Sequence, residues 1–196
     1  AELITSCYRD SYFKQPNPPF KNVSVATVRA GNVIGGGDWA QNRLIPDIMQ
    51  SLIKKQQVVI RNPNSIRPWQ FVLEPLEGYL TLAEQLWANG TKYSEGWNFG
   101  PNETDAQSVQ WIVEQLGQFW GKKTDWKELP QPYPHEANYL KLDCTKARQR
   151  LKWTPRLDLA TTLEWVVEWY RGWDNGENVA ALTKSQITAY QNLIKH

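Results

Sequence analysis

RAGNVIGGGDWAQNRLIPD, from Arg29 to Asp47, decides how the rest of the chain is read. Gly35, Gly36 and Gly37 stand in a row, and glycine loses more backbone entropy on folding than any other residue. Three together form either a loose linker or a loop whose backbone bends tightly beside something. The residues ahead of them bear on the choice. VSVATVRAG, Val23 to Gly31, is apolar and rich in β-branched side chains, and Val23, Val25 and Val28 keep no clean alternation. That pattern fits a buried strand of a parallel sheet. A loop directly after such a strand lies where ligands of open α/β sheets bind, beyond the strand's carboxyl end. The alternative is a plain surface turn.

Outward from this stretch, the pattern alternates helices and strands. AELITSCYRDSYFK has helical spacing, with Leu3, Cys7 and Tyr8 or Ser11 on one side. No Ser, Thr or Asp caps its start, so the expectation is a helix that continued upstream. QPNPPF stops it, and helix, loop, buried strand is half of an α/β unit. RLIPDIMQSLIKK sets Leu44, Ile48, Met49 and Leu52 on a helix that tolerates Pro46 in its first turn. VVIRN reads as a short strand and PWQFV as another, with Pro68 separating it from SIR. Glu74 to Ala88 predicts a helix whose stripe is Leu76, Leu80, Ala83 and Leu86 or Trp87, with Gly90 beyond its end.

Further on, Ser94 to Phe99 reads as a core strand. Asp105 or Ala106 to Phe119 reads as a helix with Val109, Ile112, Val113, Leu116 and Trp120 inward. Lys123 to His135 is proline-punctuated loop with one short strand. YLKLD is a candidate strand and CTKARQRLKW a short helix. TPRLDLATTLEWVVEWYRGW makes a longer helix that turns Leu159, Leu163, Val166, Val167 and Tyr170 inward, and TKSQITAYQNLIK makes a last one.

The 196 residues suffice for one good core or two small ones, and 41% hydrophobic with 21% charged residues describes an ordinary folded protein. The 11 Trp and 8 Tyr read chiefly as anchors in core and interface, with sugar or base stacking open to a few. A net charge of +2 carries no broad field, which argues against nucleic acid as a partner and leaves room for a local arginine site facing a small anion. Cys7 and Cys144 lie far apart and suit a reducing compartment. No apolar run approaches a membrane span, and the first residues are too polar for a signal peptide.

GNVIGGG does not open a helix as GxGxxG, so it fails the context of a dinucleotide fingerprint. Asn32 can donate and accept, which suits sugar hydroxyls or phosphate, but asparagine also tolerates a left-handed backbone. Arg43 and Arg67 can each clamp phosphate oxygens through paired donors, and the pair suggests a diphosphate. His135 and Glu136 could serve acid–base chemistry, hold a hydroxyl or close a loop. Asp158 and Glu164 read as a solvated helix face. No GxSxG, paired-cysteine or HExxH arrangement occurs, which leaves serine hydrolase and zinc chemistry without support. The residues themselves stop at a nucleotide-diphosphate-like ligand on an α/β scaffold.

RAGNVIGGGDWAQNRLIPDIM, IRNPNSIRPWQFVLEPLEGYLTLAEQL and WNFGPNE together resemble the distal half of the nucleotide-sugar 4,6-dehydratases of the extended short-chain dehydrogenase/reductase family. GNVIGGGDWA with RPWQ and VLEPLEGYL points to the branch that acts on CDP-glucose, apart from the dTDP-glucose dehydratases and UDP-sugar epimerases. The resemblance runs from AELITSCYR to LEWVVEWYR and fades after Trp173. It implies an α/β fold: the distal part of an NAD(P)-binding Rossmann fold plus the smaller mixed α/β substrate-binding domain. Residues 1–40 would end the Rossmann-type domain and 41–196 would mainly bind the nucleotide sugar, with a strand–helix excursion near 69–90 returning to the Rossmann sheet.

By position, the resemblance implies that Asn32 contacts the sugar nucleotide and that Arg43, Leu44 and Ile45 line its nucleotide side. Val59 and Ile60 would pass the base, Arg67 would grip the diphosphate, Asn98 would help hold the nucleotide, and His135 and Glu136 would close the pocket. Arg29 and Ala30 would meet the cofactor through their backbone. Phe71 stands where relatives usually carry histidine, so no chemistry is expected of it. The glycine-rich cofactor loop and the YxxxK helix are absent from this sequence, which puts the catalytic tyrosine, lysine and acid–base residues upstream of Ala1. The implied activity is that of a cytoplasmic NAD-dependent lyase, a homodimer or tetramer without metal, making CDP-4-dehydro-6-deoxy-D-glucose and water from CDP-D-glucose for bacterial lipopolysaccharide O-antigen. Alternatives are another epimerase or reductase on the same scaffold, and a non-catalytic nucleotide-sugar-binding module.

Overall fold

The computed structural model describes residues 1–14, 22–129 and 140–194. In chain order the helices and strands are α1 (Glu2–Tyr8), β1 (Thr27–Ala30), β2 (Asn32–Ile34), α2 (Leu44–Ile53), β3 (Val58–Ile60), β4 (Ile66–Phe71), α3 (Leu73–Asn89), β5 (Gly96–Phe99), β6 (Ala106–Ser108), α4 (Val109–Trp120), β7 (Trp126–Glu128), α5 (Leu159–Asp174) and α6 (Val179–Ile194). Two π-helical turns, Arg9–Phe13 and Ala147–Leu151, extend α1 and replace most of the short helix expected after Asp143. The chain divides into two compact units. One gathers Ala1–Ala30, Glu74–Gly100 and Leu142–Thr154; the other holds Gly31–Leu73, Pro101–Lys141 and Pro155–His196. The sequence reading instead drew its boundary at residue 40, with an excursion near 69–90.

In the first unit β1 and β5 pair in parallel, Thr27 opposite Gly96 and Ala30 opposite Phe99. A parallel pair needs a crossover, and α3 leads the returning chain into β5. The core is Leu82, Trp97, Phe99, Ala147, Leu151 and Trp153, with the Phe99 and Trp153 rings edge to face at 5.1 Å. Three expectations are corrected here. The strand is shorter than Val23–Gly31, and Val23 and Val28 are exposed. Among the described residues β1 has a hydrogen-bonded neighbour on one side alone, so its far edge stays open.

The face of α1 expected to turn inward is uncovered: Leu3 is 88% exposed, and Cys7, Tyr8 and Ser11 are exposed as well. Glu2 is what ties α1 to β1, accepting from Thr27 Oγ1 at 3.0 Å and pairing with Arg29 at 2.7 Å. On α3 the inward face is Glu74, Pro75, Gly78 and Leu82, while Leu80 and Trp87 of the expected stripe are 68% and 93% exposed. Gly78 explains the choice of face. The Phe99 ring lies where a Cβ at 78 would be, so the helix approaches β5 along its small residues.

In the second unit β4 is central, parallel to β2 over residues 69–71 and antiparallel to β6 over 66–68. Pro68 therefore does not end a strand, as expected, but sits inside β4 where the pairing changes sides. β3 and β7 form a second, parallel pair. The core collects Ile45, Ile48 and Met49 from α2, Ile112, Val113 and Leu116 from α4, and Leu159, Leu163, Val166, Val167 and Tyr170 from α5. All five inward positions read for α5 are thus buried. α4 starts three residues later than expected, because Ser108 accepts the Trp111 N–H at 3.2 Å and caps it there. Residues 140–144 form no strand: the Asp143 carboxylate accepts the Thr145 N–H at 2.9 Å and turns the chain into the helical segment.

Candidate functional site

The second unit contains a cleft of about 630 Å³, within the range of small-ligand sites. Its wall is built in order along the chain. β2 supplies Asn32 at the strand's start, and the glycine loop leads from β2 to the first turn of α2, whose Leu44, Ile45, Asp47 and Ile48 face the space. β3 brings Val59 and Ile60, the residues just after it bring Arg61 and Asn62, and β4 brings Arg67 and Trp69.

The glycine triplet now has a cause. A Cβ at Gly36 would run into the indole of Trp169 on α5, and Gly37 takes φ +81°, which favours glycine. The loop bends beside its own helix, and only Gly35 of the three lines the cleft. Aromatic contacts pin the loop further. Trp39 packs edge-on to Tyr170 at 5.0 Å and against Trp173 at 4.5 Å. The Tyr170 hydroxyl donates to the Asp38 carbonyl, and burial pushes that phenol well above its ordinary range.

Three guanidinium groups line this cleft, each held differently. Arg43 precedes α2 with an extended backbone and reaches back to the Asp38 carboxylate at 3.1 Å. Arg67 is only 8% exposed and donates to the Ile66 carbonyl at 3.0 Å. Arg61 donates to Asn42 Oδ1 at 2.7 Å. Asn42 itself has φ +62°, so the left-handed backbone considered for Asn32 belongs to Asn42, while Asn32 lies in a strand. Its N–H is accepted by the Asp47 carboxylate, whose pKa burial raises against the lowering pull of that hydrogen bond and of Arg61.

Seven of the residues singled out in the sequence therefore share one cleft: Asn32, Arg43, Leu44, Ile45, Val59, Ile60 and Arg67. Asn98, Arg29 and Ala30 belong to the first unit. There Asn98 Oδ1 accepts from Arg29 at 2.8 Å and Nδ2 donates to the Asp143 carbonyl at 3.0 Å, while Arg29 also pairs with Glu2. His135 and Glu136 lie outside the described residues. Asp158, read as a solvated face, caps α5 by accepting the Thr161 N–H at 2.8 Å. Asn42, Asp47, Arg61, Ser65 and Trp69 were missed. An aspartate in a helix's first turn reads as a favourable dipole partner, and no spacing betrays that it also faces a cavity. Arginines set against an apolar wall can hold an anion joined to a flat or aliphatic group. The cleft carries no evident nucleophile–base pair, so its chemistry is binding.

No family model matches the chain. It is 50% identical over 192 residues to CDP-glucose 4,6-dehydratase of Salmonella typhimurium, covering 98% of this chain and 54% of that protein. The chain thus spans about half the length of this curated relative. UDP-glucuronic acid 4-epimerase from Bacillus cereus, solved with UDP-glucuronic acid and NAD, matches with a TM-score of 0.70 at 18% identity, over 87% of this chain and 49% of that one. dTDP-glucose 4,6-dehydratase from Bacillus anthracis, solved with NAD, gives 0.67 at 18% identity over 86% and 49%. An epimerase from Methanothermobacter thermautotrophicus gives 0.72 at 19% identity over 94% and 50%. The fold is the mixed α/β arrangement of these epimerases and dehydratases. In sequence the chain resembles one half of CDP-glucose 4,6-dehydratase.

Proposed function

We propose that this chain is the nucleotide-sugar-binding part of a CDP-glucose 4,6-dehydratase, the NAD-dependent lyase that converts CDP-D-glucose to CDP-4-dehydro-6-deoxy-D-glucose and water. The observation that carries the reading is the meeting of Arg43 and Arg67 with Asn32 around one cleft, in a chain half identical to that enzyme. Arg67 takes the diphosphate: a buried guanidinium, already desolvated, binds phosphate oxygens more strongly than a hydrated one. Arg43 closes on the same group once it leaves Asp38. Val59 and Ile60 flank the base, Leu44 and Ile45 line the nucleotide side, and Asn32 bonds sugar hydroxyls. Asn98, His135 and Glu136 complete the nucleotide site.

The chain's own residues do not fit a complete NAD site. The sequence has no GxGxxG opening a helix and no YxxxK, and the Arg29 side chain is committed to Glu2 and Asn98. Only the backbone at Arg29 and Ala30 is left to meet a cofactor, so hydride chemistry belongs to other parts of the parent enzyme. The parent assembles as a homodimer or tetramer, which the uncovered Leu3, Ile4 and Tyr8 of α1 support. It works in the cytoplasm; among the described residues no helix is long and apolar enough to cross a membrane.

Isothermal titration of this chain with CDP-D-glucose tests the reading. Arg67→Ala weakens binding by roughly tenfold to a hundredfold, the loss expected for a charge-assisted hydrogen bond to phosphate. Affinity unchanged by that substitution overturns the assignment.

A further inference from the structure

The cleft is lined by arginines, yet it also holds two carboxylates, Asp38 and Asp47. Asp38 is used: its two oxygens accept from the Ala40 N–H at 3.0 Å and from Arg43 at 3.1 Å. Asp47 is different. Among the described residues it makes no ion pair, and its carboxylate takes one backbone donor, the Asn42 N–H. An ionised carboxylate offers about four acceptor positions, so most of this group's capacity faces the cleft unused. Burial holds its pKa up, which means the surrounding donors do not fully stabilise the charge.

Such a group repels a diphosphate. It needs a ligand that brings an N–H or O–H. Its place in the wall narrows the choice. Asp47 is close enough to Arg61 to feel its charge, Arg61 directly follows Val59 and Ile60, and Val59 is an exposed apolar side chain at the same cleft. On the proposed function above, on which this inference rests, that is where the base lies. Pyrimidines differ at one edge. Cytosine presents a 4-amino group that donates, whereas uracil and thymine present a carbonyl oxygen there, whose lone pairs a carboxylate repels.

We infer that Asp47 is the specificity-determining residue of the site, accepting a hydrogen bond from the 4-amino group of cytosine and excluding uracil and thymine nucleotides. Asn42 is its positioning residue: with its left-handed backbone it aims one N–H at Asp47 while its side chain accepts from Arg61. Attraction to one base and repulsion of the other both act through one carboxylate.

Isothermal titration of this chain with CDP and with UDP tests the inference. The wild-type chain prefers CDP by tenfold or more. Asp47→Asn brings the CDP-to-UDP ratio close to one, because an amide can accept from cytosine or donate to uracil, and its oxygen still accepts the Asn42 N–H. If that variant melts early, Asp47→Ser, which also keeps an acceptor in the first turn of α2, gives the same loss of preference. A preference for CDP that survives both substitutions overturns the role of Asp47 and leaves the site reading intact. Equal weakening of both nucleotides also overturns it, since that is the result of a bond to the shared ribose. Binding of neither nucleotide by the wild-type chain contradicts the site reading and this inference together.

Discussion

At the scale of single residues, close packing explains more than polarity does. Gly36 is required by the Trp169 indole, not by a phosphate, so Gly36→Ala forces ring or loop to move and costs about 1–3 kcal/mol, as overpacked positions do. Urea denaturation of the chain measures it, and stability equal to wild type contradicts the packing account. Arg67 and Arg43 were legible because arginine next to a stiff Pro-Trp or a strand-end loop has few bland uses. Asp47 was not. Its meaning comes from Val59 and Arg61, which stand twelve and fourteen residues along the chain, and sequence gives no distance between them. Asn98 was legible as a polar residue of note, yet the structure sets it in a network with Arg29 and Asp143.

Among the elements, helices with one decisive apolar face were read well and helices with two candidate faces were not. On α5 the inward set is aliphatic with one tyrosine, and every member is buried. On α3 the larger side chains lie on the wrong side for such a reading: the helix buries Gly78 and Pro75 because Phe99 fills the room a side chain would take. Leu80 and Leu82 separate the two faces by experiment. Leu82, 3% exposed, costs about 2–5 kcal/mol when cut to alanine, whereas Leu80→Gln changes stability by less than about 0.5 kcal/mol. Chemical denaturation of both variants checks this, and the reverse order would restore the stripe inferred from spacing. Strand boundaries failed for a related reason. Pro68 looks like a breaker until β4 is seen to change partners beside it, and a change of partner leaves no mark in composition.

For the whole molecule, each unit carries its own buried cluster, and the described cleft is enclosed by residues of the second unit alone. Sequence periodicity pointed to an α/β chain, but the interleaving of three segments into the first unit depends on pairing between β1 and β5, 69 residues apart in register. The central claim is that one cleft, and not the polar network of the first unit, receives the diphosphate. The most direct measurement is a titration of the isotope-labelled chain with CDP-D-glucose, followed through the arginine Nε–H NMR signals. The signals of Arg43 and Arg67 move and saturate together, while those of Arg29 and Arg150, engaged by Glu2 and Glu95, stay in place. Movement of Arg29 and Arg150 with Arg43 and Arg67 unchanged would contradict the account.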